Sequence, residues 1–361
     1  MKRYQDLIAR CDVRLTGHPR LTMSEQLAEI DRWAGRFDAQ DVYGRGELIE
    51  SFEAEVAGML GKPAALFLPS GTMAQCIALR VWSDRAGNRS VGFHPTSHLE
   101  LHEQHAYREL YGLDGVLLGE PDRPIALEDL DAAARPLAAV LLELPMREIG
   151  GQLPSWDALV AQSAWARGNG VALHMDGARL WQCTSHFERD LATIAGLFDS
   201  VYVSFYKDIG GIAGAMLAGA EDFIEDARTW LRRTGGNLYA LFPYVLAARA
   251  GIERNLVGIS DDVQAASWLV EELRKLGLTT TPARPPTNLF HLTLAVERES
   301  LLEYAIAWTE AHEVFLMPFP QRGTAERPVL EFSMGSAFRQ HSPASWQHWI
   351  QDFYGNLPGA T

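Results

Sequence analysis

The strongest constraint on the fold is an alternation of short apolar runs with longer amphipathic stretches. The apolar runs are Ala64–Leu68, Gly115–Leu118, Ala138–Leu144, Val171–His174 and Ser200–Ser204. The stretches between them include Thr72–Arg85, Leu127–Arg135 and Ser155–Arg167. Strands that are apolar along their whole length and lie between helices are typical of a parallel sheet covered on both faces. The sequence therefore predicts an α/β fold.

The order of predicted elements changes beyond about Asn255. The predicted elements are helices at 261–276, 298–312 and 343–353 and strands at 288–294, 314–317 and 329–333. Such a mixture indicates a second, smaller α+β domain. A chain of 361 residues is long enough for about two domains. We expect a large domain over residues 1–254 and a small domain over 255–361, with the segment 1–35 contacting the small domain.

Composition excludes several classes of function. The chain has 46 acidic against 32 basic residues, a net charge of −14, and the basic residues are scattered, so nucleic acid is not an expected partner. No apolar run approaches the roughly 20 residues that a membrane helix needs, and no apolar stretch follows the first basic residues as in a signal peptide. Three distant cysteines fit neither a disulfide framework nor a zinc site. These features predict a cytoplasmic protein without a structural metal.

A small-residue turn after the first apolar run is a candidate anion site. The segment Pro69-Ser70-Gly71-Thr72 follows a predicted buried strand and opens a predicted helix. Unpaired amides and the positive end of the helix dipole would let Ser70, Gly71 and Thr72 hold a phosphate. The alternative is a plain N-cap and turn.

Two charged residues follow later strands. Asp176, in His174-Met175-Asp176-Gly177-Ala178-Arg179, stands at the carboxyl end of a strand, where open α/β sheets bind ligands. A carboxylate there either caps a helix or bonds a cationic ligand atom. Lys207 lies between a strand and a glycine-rich run. It is either a solvated loop residue or a desolvated amine able to attach a carbonyl group.

Four histidines are spaced so that a helix would place them along one face. They are His94, His98, His102 and His105. This spacing suggests a metal site, but Glu100 falls at the wrong offset for an H-E-x-x-H motif, and histidines on a helix face are more often structural. We therefore expect no metal here.

A phosphate cradle, a carboxylate and a lysine, each after a strand and in this order, are the parts that hold pyridoxal 5′-phosphate (PLP) in the large aspartate-aminotransferase-like fold, fold type I. The surrounding motifs resemble the threonine aldolase and β-eliminating lyase family of PLP-dependent enzymes from about Asp41 to Gly219. The motifs that carry this resemblance are Asp41-Val42-Tyr43-Gly44, Phe52-Glu53-Ala54-Glu55, the run from Gly61 to Ala74, Gly150-Gly151, the Asp176 segment, Ser200-Val201 through Lys207 and Gly214, and Pro286-Thr287-Asn288.

The resemblance implies a role for each matching residue. Lys207 would attach the cofactor aldehyde, and Asp176 would bond the pyridine nitrogen. His98 would stack on the cofactor ring and act in catalysis. The resemblance further implies that Ser70, Gly71 and Thr72 bind the phosphate with Arg232 as the nearby basic residue, that Arg179 binds both the cofactor and the substrate carboxylate, and that Tyr43 approaches the site of a neighbouring subunit.

Departures from the family pattern concern the substrate. Met146 stands where the family has a second active-site histidine, and a thioether cannot take a proton from a hydroxyl group. Tyr239 stands in place of a phosphate-binding arginine. Glu331 stands where the family has a carboxylate-binding arginine, and it could pair with Arg322 or Arg339 or receive a cationic substrate group. Near the N-terminus, Thr16 or His18 would face the ligand.

The resemblance implies a PLP-dependent lyase like low-specificity L-threonine aldolase. Such an enzyme cleaves the Cα–Cβ bond of a β-hydroxy-α-amino acid to an aldehyde and glycine. The same cofactor also serves β-elimination, racemisation and amine transfer, so these reactions remain alternatives, as does a catalytically idle PLP-binding protein. The family resemblance further implies a homodimer or homotetramer.

Overall fold

The structure is a computed structural model and describes residues 2–358. The chain forms two compact units. One unit comprises residues 22–148 and 152–257, and we call it the sheet unit. The other comprises residues 1–21, 149–151 and 258–361, and we call it the terminal unit.

The described residues form thirteen strands. In chain order they are β1 (Val13–Arg14), β2 (Ala64–Leu68), β3 (Ser90–Phe93), β4 (Asp114–Leu117), β5 (Ala139–Glu143), β6 (Ala172–Asp176), β7 (Ser200–Ser204), β8 (Ala215–Gly219), β9 (Thr280–Thr281), β10 (Leu289–Thr293), β11 (Val314–Phe315), β12 (Arg322–Gly323) and β13 (Pro328–Ser333).

The same residues form fifteen α-helices. They are α1 (Lys2–Ile8), α2 (Met23–Ala34), α3 (Glu47–Met59), α4 (Gly71–Ala86), α5 (His98–Leu101), α6 (Ala106–Glu109), α7 (Leu127–Asp131), α8 (Trp156–Asn169), α9 (Cys183–Phe187), α10 (Leu191–Ala195), α11 (Glu221–Arg233), α12 (Phe242–Asn255), α13 (Ile259–Lys275), α14 (Arg298–His312) and α15 (Pro343–Tyr354). None of the helices within 2–358 combines the length and apolar character that a bilayer span requires.

The sheet unit is built around a seven-stranded sheet with the order β2-β8-β7-β6-β5-β3-β4. Neighbouring strands from β7 to β4 are parallel, and β8 runs antiparallel to both β7 and β2. Strands β5, β7 and β8 are buried along nearly all of their length. Helices must therefore cover both faces of this sheet, which explains why its strands lack polar alternation. The predicted α/β fold with a mostly parallel sheet is confirmed.

Helix α4 packs on one face of this sheet through an apolar side. Its buried residues include Ile77 and Leu79, which join a cluster with Leu141 of β5 and Leu217 of β8. The helix ends at Gly87, whose φ of 60° is the left-handed conformation that glycine adopts without steric cost. This packing fixes the first turn of α4 at the edge of the sheet where β2 ends.

The terminal unit has its own sheet and core. Strands β12, β13, β10 and β9 form an antiparallel sheet, and β1 pairs in parallel with β11. Burial alternates along β13, with Leu330 and Phe332 inside and Glu331 on the other face. The Phe332 ring stacks on Phe290 with centroids 5.0 Å apart. This period of two is expected of a sheet that packs one face on helices.

Two strands of the central sheet, β3 and β8, were not predicted from the sequence. Strand β3 has only four residues and contains Gly92, and β8 consists largely of alanine and glycine with Met216 and Leu217. Small residues have weak strand propensity, so neither run carries the usual signal. Both strands form because their neighbours supply backbone partners on each side.

Candidate active site

Three side chains form a row at the carboxyl edge of the central sheet. Glu143 ends β5, Asp176 ends β6, and Tyr202 lies on β7, and each is the register partner of the next. Lys207 follows three residues after the end of β7. The carboxyl edge of parallel strands is where α/β sheets bind ligands, so this row marks the candidate site.

A cavity opens at this edge. Most of the side chains that line it are charged or titratable. The lining residues are His98, Glu143, Pro145, Arg147, Glu148, Asp176, Ala178, Arg179 and Lys207. Four residues predicted from the sequence, His98, Asp176, Arg179 and Lys207, are thus brought together from distant parts of the chain. A polar lining of mixed charge suits a zwitterionic or anionic small molecule.

The amine of Lys207 lies in an environment that favours its neutral form. Burial lowers its pKa, the positive charge of Arg179 lowers it further, and the carboxylates of Asp176, Glu143 and Asp208 oppose this shift. Only a neutral amine attacks a carbonyl group, so a lowered pKa increases the reactive fraction. The solvated-loop alternative for Lys207 does not describe a side chain in this cavity.

The carboxylate of Asp176 is held in place by the backbone. It is only 4% exposed, and its Oδ1 accepts a hydrogen bond from the Ala178 amide at 3.1 Å. This contact fixes one oxygen and satisfies part of its hydrogen-bonding capacity. Asp176 therefore accepts a local backbone bond and also lines the cavity, and its bond to a cationic ligand atom stays a prediction.

His98 is oriented by a buried carboxylate. Its Nδ1 lies 2.8 Å from Oε1 of Glu103, a residue that is 8% exposed, and His98 itself lines the cavity. A carboxylate bonded to one ring nitrogen sets the tautomer and orientation of an imidazole. His98 can therefore present a defined ring face and a defined second nitrogen.

The four histidines do not share one helix face. His98 opens α5, which spans a single turn, and His94 and His105 lie outside it. His94 is buried and bonded to Thr96 at 2.8 Å and to the Glu120 carbonyl at 2.7 Å, while His102 lies 2.8 Å from Glu148. Among the described residues no cluster of histidine, cysteine or carboxylate side chains is placed to hold a metal.

The turn after β2 forms the first turn of α4. Ser70 is the N-cap, and its Oγ accepts a hydrogen bond from the Met73 amide at 3.3 Å. The amides of Gly71 and Thr72 belong to the first turn, where a helix offers no internal partners. A Cβ at Gly71 would lie 2.0 Å from Oη of Tyr202, so only glycine fits there. The N-cap and the phosphate cradle are thus compatible readings of one turn.

Glu143 is a residue of the cavity that the sequence analysis did not select. Its Oε1 accepts a hydrogen bond from the Arg147 amide at 3.0 Å. Burial and the nearby Asp176 raise its pKa to about 7, and Lys207 and Arg179 partly oppose the shift. The signal was available, because two adjacent parallel strands both end in an acid, β5 in Glu143 and β6 in Asp176.

Two other predicted residues of the sheet unit line a second cavity. Tyr43 and Arg232 line a space that is also lined by Arg228 and Glu53. Tyr239 is next to Tyr43, with ring centroids 5.4 Å apart in an edge-on arrangement, and both rings are exposed. Met146 is buried and donates its amide to the Gln152 carbonyl at 3.0 Å.

Thr16 and Glu331 belong to the terminal unit. Thr16 follows β1 and is half-buried. Glu331 pairs with Arg322 at 2.9 Å and lies 3.7 Å from His291 on the neighbouring strand. Arg339, the other partner considered for Glu331, is paired with Asp262 instead. His18 contacts Ser336, with Nδ1 and Oγ 2.9 Å apart.

The residues of the sheet unit fit the chemistry of PLP. The Nε atom of Arg179 is buried and has no hydrogen-bond partner, which is expected of a side chain that awaits an anionic ligand group. The cavity also supplies an amine with a lowered pKa and a fixed carboxylate. An aldehyde, a basic ring nitrogen and an anionic group would each find a complementary partner.

Comparison with known proteins supports this description. Residues 22–297 match the family model described as beta-eliminating lyase. The chain is 28% identical to low-specificity L-threonine aldolase 1 of Arabidopsis thaliana over 265 residues, which are 70% of this chain and 74% of that protein.

Solved structures agree with the match. A protein of Listeria monocytogenes, provisionally described as an L-allo-threonine aldolase, superimposes with a TM-score of 0.93 and 37% identity, over 99% of each chain. Serine palmitoyltransferase from S. paucimobilis, solved with a bound PLP adduct, has a TM-score of 0.67 and 18% identity over 92% of this chain and 83% of that one, which shows the fold alone. The family predicted from the sequence motifs is confirmed, and the chain belongs to the β-eliminating lyase family, with the fold of the PLP-dependent threonine aldolases.

Proposed function

We propose that this protein is a PLP-dependent aldehyde-lyase that cleaves the Cα–Cβ bond of a β-hydroxy-α-amino acid to give an aldehyde and glycine. The observation that supports it most directly is the convergence of Lys207, Asp176, Arg179 and His98 on one cavity. The family match and the similarity to a threonine aldolase support the same reaction class.

The cofactor would be held by residues of the sheet unit. Lys207 would attach the aldehyde, and Asp176 would bond the protonated pyridine nitrogen. Ser70, Gly71 and Thr72 at the start of α4 would bind the phosphate, with Arg232 as a further basic residue. When bound, PLP supplies an electron sink that stabilises negative charge at the substrate Cα.

His98 is the proposed acid–base residue of this reaction. Bond cleavage requires removal of a proton from the substrate β-hydroxyl, and a histidine bonded to Glu103 can accept it. Met146 lacks a basic atom, so the task falls on His98 in this chain. Arg179 would bind the substrate carboxylate. Thr16, Tyr43 and Glu331 stay predicted substrate contacts, and a cytoplasmic homodimer or homotetramer stays a prediction.

Product analysis tests this proposal. The purified protein loaded with PLP is incubated with L-threonine, L-allo-threonine, their D-isomers and phenylserine, and aldehyde release is followed by absorbance or a coupled dehydrogenase. We expect aldehyde and equimolar glycine from at least one of these substrates. Lys207→Ala should abolish release, whereas Lys275→Ala, at an exposed position of α13, should not. Absence of aldehyde from every substrate would refute the lyase assignment.

A further inference from the structure

Two tyrosine hydroxyls lie beside the first residue of α4. A Cβ built on Gly71 would be 2.0 Å from Oη of Tyr202 and 3.2 Å from Oη of Tyr206. Both tyrosines come from the β7 region, on which Tyr202 is the register partner of Asp176 and Tyr206 directly precedes Lys207. The family resemblance assigned no role to either residue.

The two tyrosines differ in burial. Tyr202 is 3% exposed and packs in the apolar cluster beneath α4, so its ring has a structural role. Tyr206 is 40% exposed and directly precedes Lys207, which lines the charged cavity. The Nζ atom of Lys207 lies 5.8 Å from the Tyr206 ring centroid. Core packing therefore does not explain Tyr206, whose hydroxyl lies beside the start of α4.

One of the two phenol protons remains without a protein acceptor. The hydroxyls of Tyr202 and Tyr206 lie close enough for Tyr206 to raise the pKa of Tyr202, and a contact between them engages at most one of their two protons. Within residues 2–358 neither hydroxyl bonds another protein acceptor. Burial raises the pKa of both phenols, so both keep their protons at neutral pH. The second proton is thus available to an acceptor from outside the chain.

The surroundings favour an anionic acceptor. The unpaired first-turn amides of α4 and the positive end of its dipole lie at Gly71. Burial and the carboxylates of Asp176 and Glu103 raise the pKa of Tyr206, and the cation of Arg179, which acts on the same hydroxyl, opposes them. A phosphate held at this helix start would meet backbone donors on one side and a phenol on the other.

We propose that the Tyr206 hydroxyl, supported from below by Tyr202, donates a hydrogen bond to the phosphate group of the bound cofactor. The inference rests on the proposed use of PLP and adds a residue outside the family pattern. The Tyr206 hydroxyl would also supply a hydrogen-bond donor to the phosphate in a chain that has Tyr239 where the family has a phosphate-binding arginine.

A comparison of two ligands isolates this contact. The apoprotein is titrated with PLP and with pyridoxal, which has the same aldehyde and ring but no phosphate, and each Kd is measured by absorbance and by quenching of tryptophan fluorescence. The variants are Tyr206→Phe and Tyr202→Phe. The matched control is Tyr244→Phe, which removes one hydroxyl from α12. Thermal melts show whether each variant folds.

A hydrogen bond to a charged group predicts that Tyr206→Phe weakens PLP binding about tenfold or more and changes pyridoxal binding less than twofold. Tyr202→Phe should weaken PLP binding several-fold, again without affecting pyridoxal, since it leaves Tyr206 without its partner. Equal losses for both ligands, or no loss for PLP, would overturn the inference. A wild-type protein that binds neither ligand would instead refute the proposed function.

Discussion

Glu143 and Asp176 are register partners at the ends of two adjacent parallel strands, and both line the cavity that contains Lys207. Two acids so placed compete for negative charge. Burial and the nearby Asp176 raise the pKa of Glu143 to about 7. The Oδ1 atom of Asp176 accepts a hydrogen bond from the Ala178 amide. Glu143 therefore keeps its proton up to near neutral pH.

The raised pKa of Glu143 predicts a pH dependence of the folding stability. The folded pKa of Glu143 lies above its ordinary value of 4.5, so its contribution is fully present below pH 4.5 and is lost as the pH rises through about 7. Glutamine does not ionise, so Glu143→Gln should reduce the loss of folding stability between low and neutral pH by roughly 1–3 kcal/mol. We expect the melting temperature of the apoprotein to fall less between pH 5 and pH 8 in Glu143→Gln than in wild type. Glu47→Gln, at an exposed site of the same unit, is the control, and parallel profiles for all three proteins would contradict the prediction.

The His98–Glu103 contact predicts a catalytic effect from a residue that does not line the cavity. Glu103→Gln should lower kcat for aldehyde release about tenfold or more with little change in KM, because the imidazole loses its orienting carboxylate. The double variant with His98→Phe should be no slower than His98→Phe alone. Additive losses in kcat would show that Glu103 acts independently of His98.

Gly71 predicts a sharp steric requirement. Gly71→Ala would place a methyl group 2.0 Å from Oη of Tyr202, so the start of α4 or the tyrosine must move. We expect a loss of about 1–3 kcal/mol in the free energy of unfolding, together with weaker PLP binding. Gly168→Ala in α8 has open space around its Cβ and should be neutral or stabilising by up to about 1 kcal/mol. Urea unfolding of both variants measures the contrast, and equal stability would contradict the overlap.

Lys207 predicts a spectroscopic signature that does not depend on turnover. Wild-type protein incubated with PLP and freed of excess ligand should retain the visible absorption of lysine-attached cofactor. Lys207→Ala should lose this band. Lys62→Ala should keep it, because Lys62 does not line the cavity and its Nζ donates a hydrogen bond of 2.5 Å to the Phe198 carbonyl. A band that survives in Lys207→Ala would assign the attachment to another amine.

The elements that follow simple periodicity were predictable from sequence. Strands β2 and β7 and helix α14 have the predicted bounds, because a run of apolar or amphipathic residues between clear breakers determines them. The motifs around Asp176 and Lys207 also indicated the site, since strand ends are recognisable in sequence. Sequence did not reveal β3 and β8, whose small residues form strands only between partners.

Pairwise relationships across the sheet were the part that sequence could not supply. The contact of Gly71 with Tyr202 depends on the strand order, which places β7 and the start of α4 at one edge. The pKa of Glu143 depends on Asp176 as its neighbour, and one residue of register would remove that relationship. The histidines show a related limit, because their spacing, which would place them along one face of a helix, does not reveal that the helix from His98 ends after four residues.

The loop after β5 combines buried apolar residues with polar residues of the cavity: Leu144 and Met146 are at most 4% exposed, whereas Arg147 and Glu148 line the cavity. Pro145, Arg147 and Glu148 line the cavity, whereas the apolar runs before them carry the packing of the sheet. Changes at the polar positions of this loop would alter what the cavity accepts, while its buried apolar positions keep the loop packed on the sheet. An enzyme built in this way can acquire new substrates through substitutions in its loops while its sheet is unchanged. Met146, in the same loop, is an example of such a substitution.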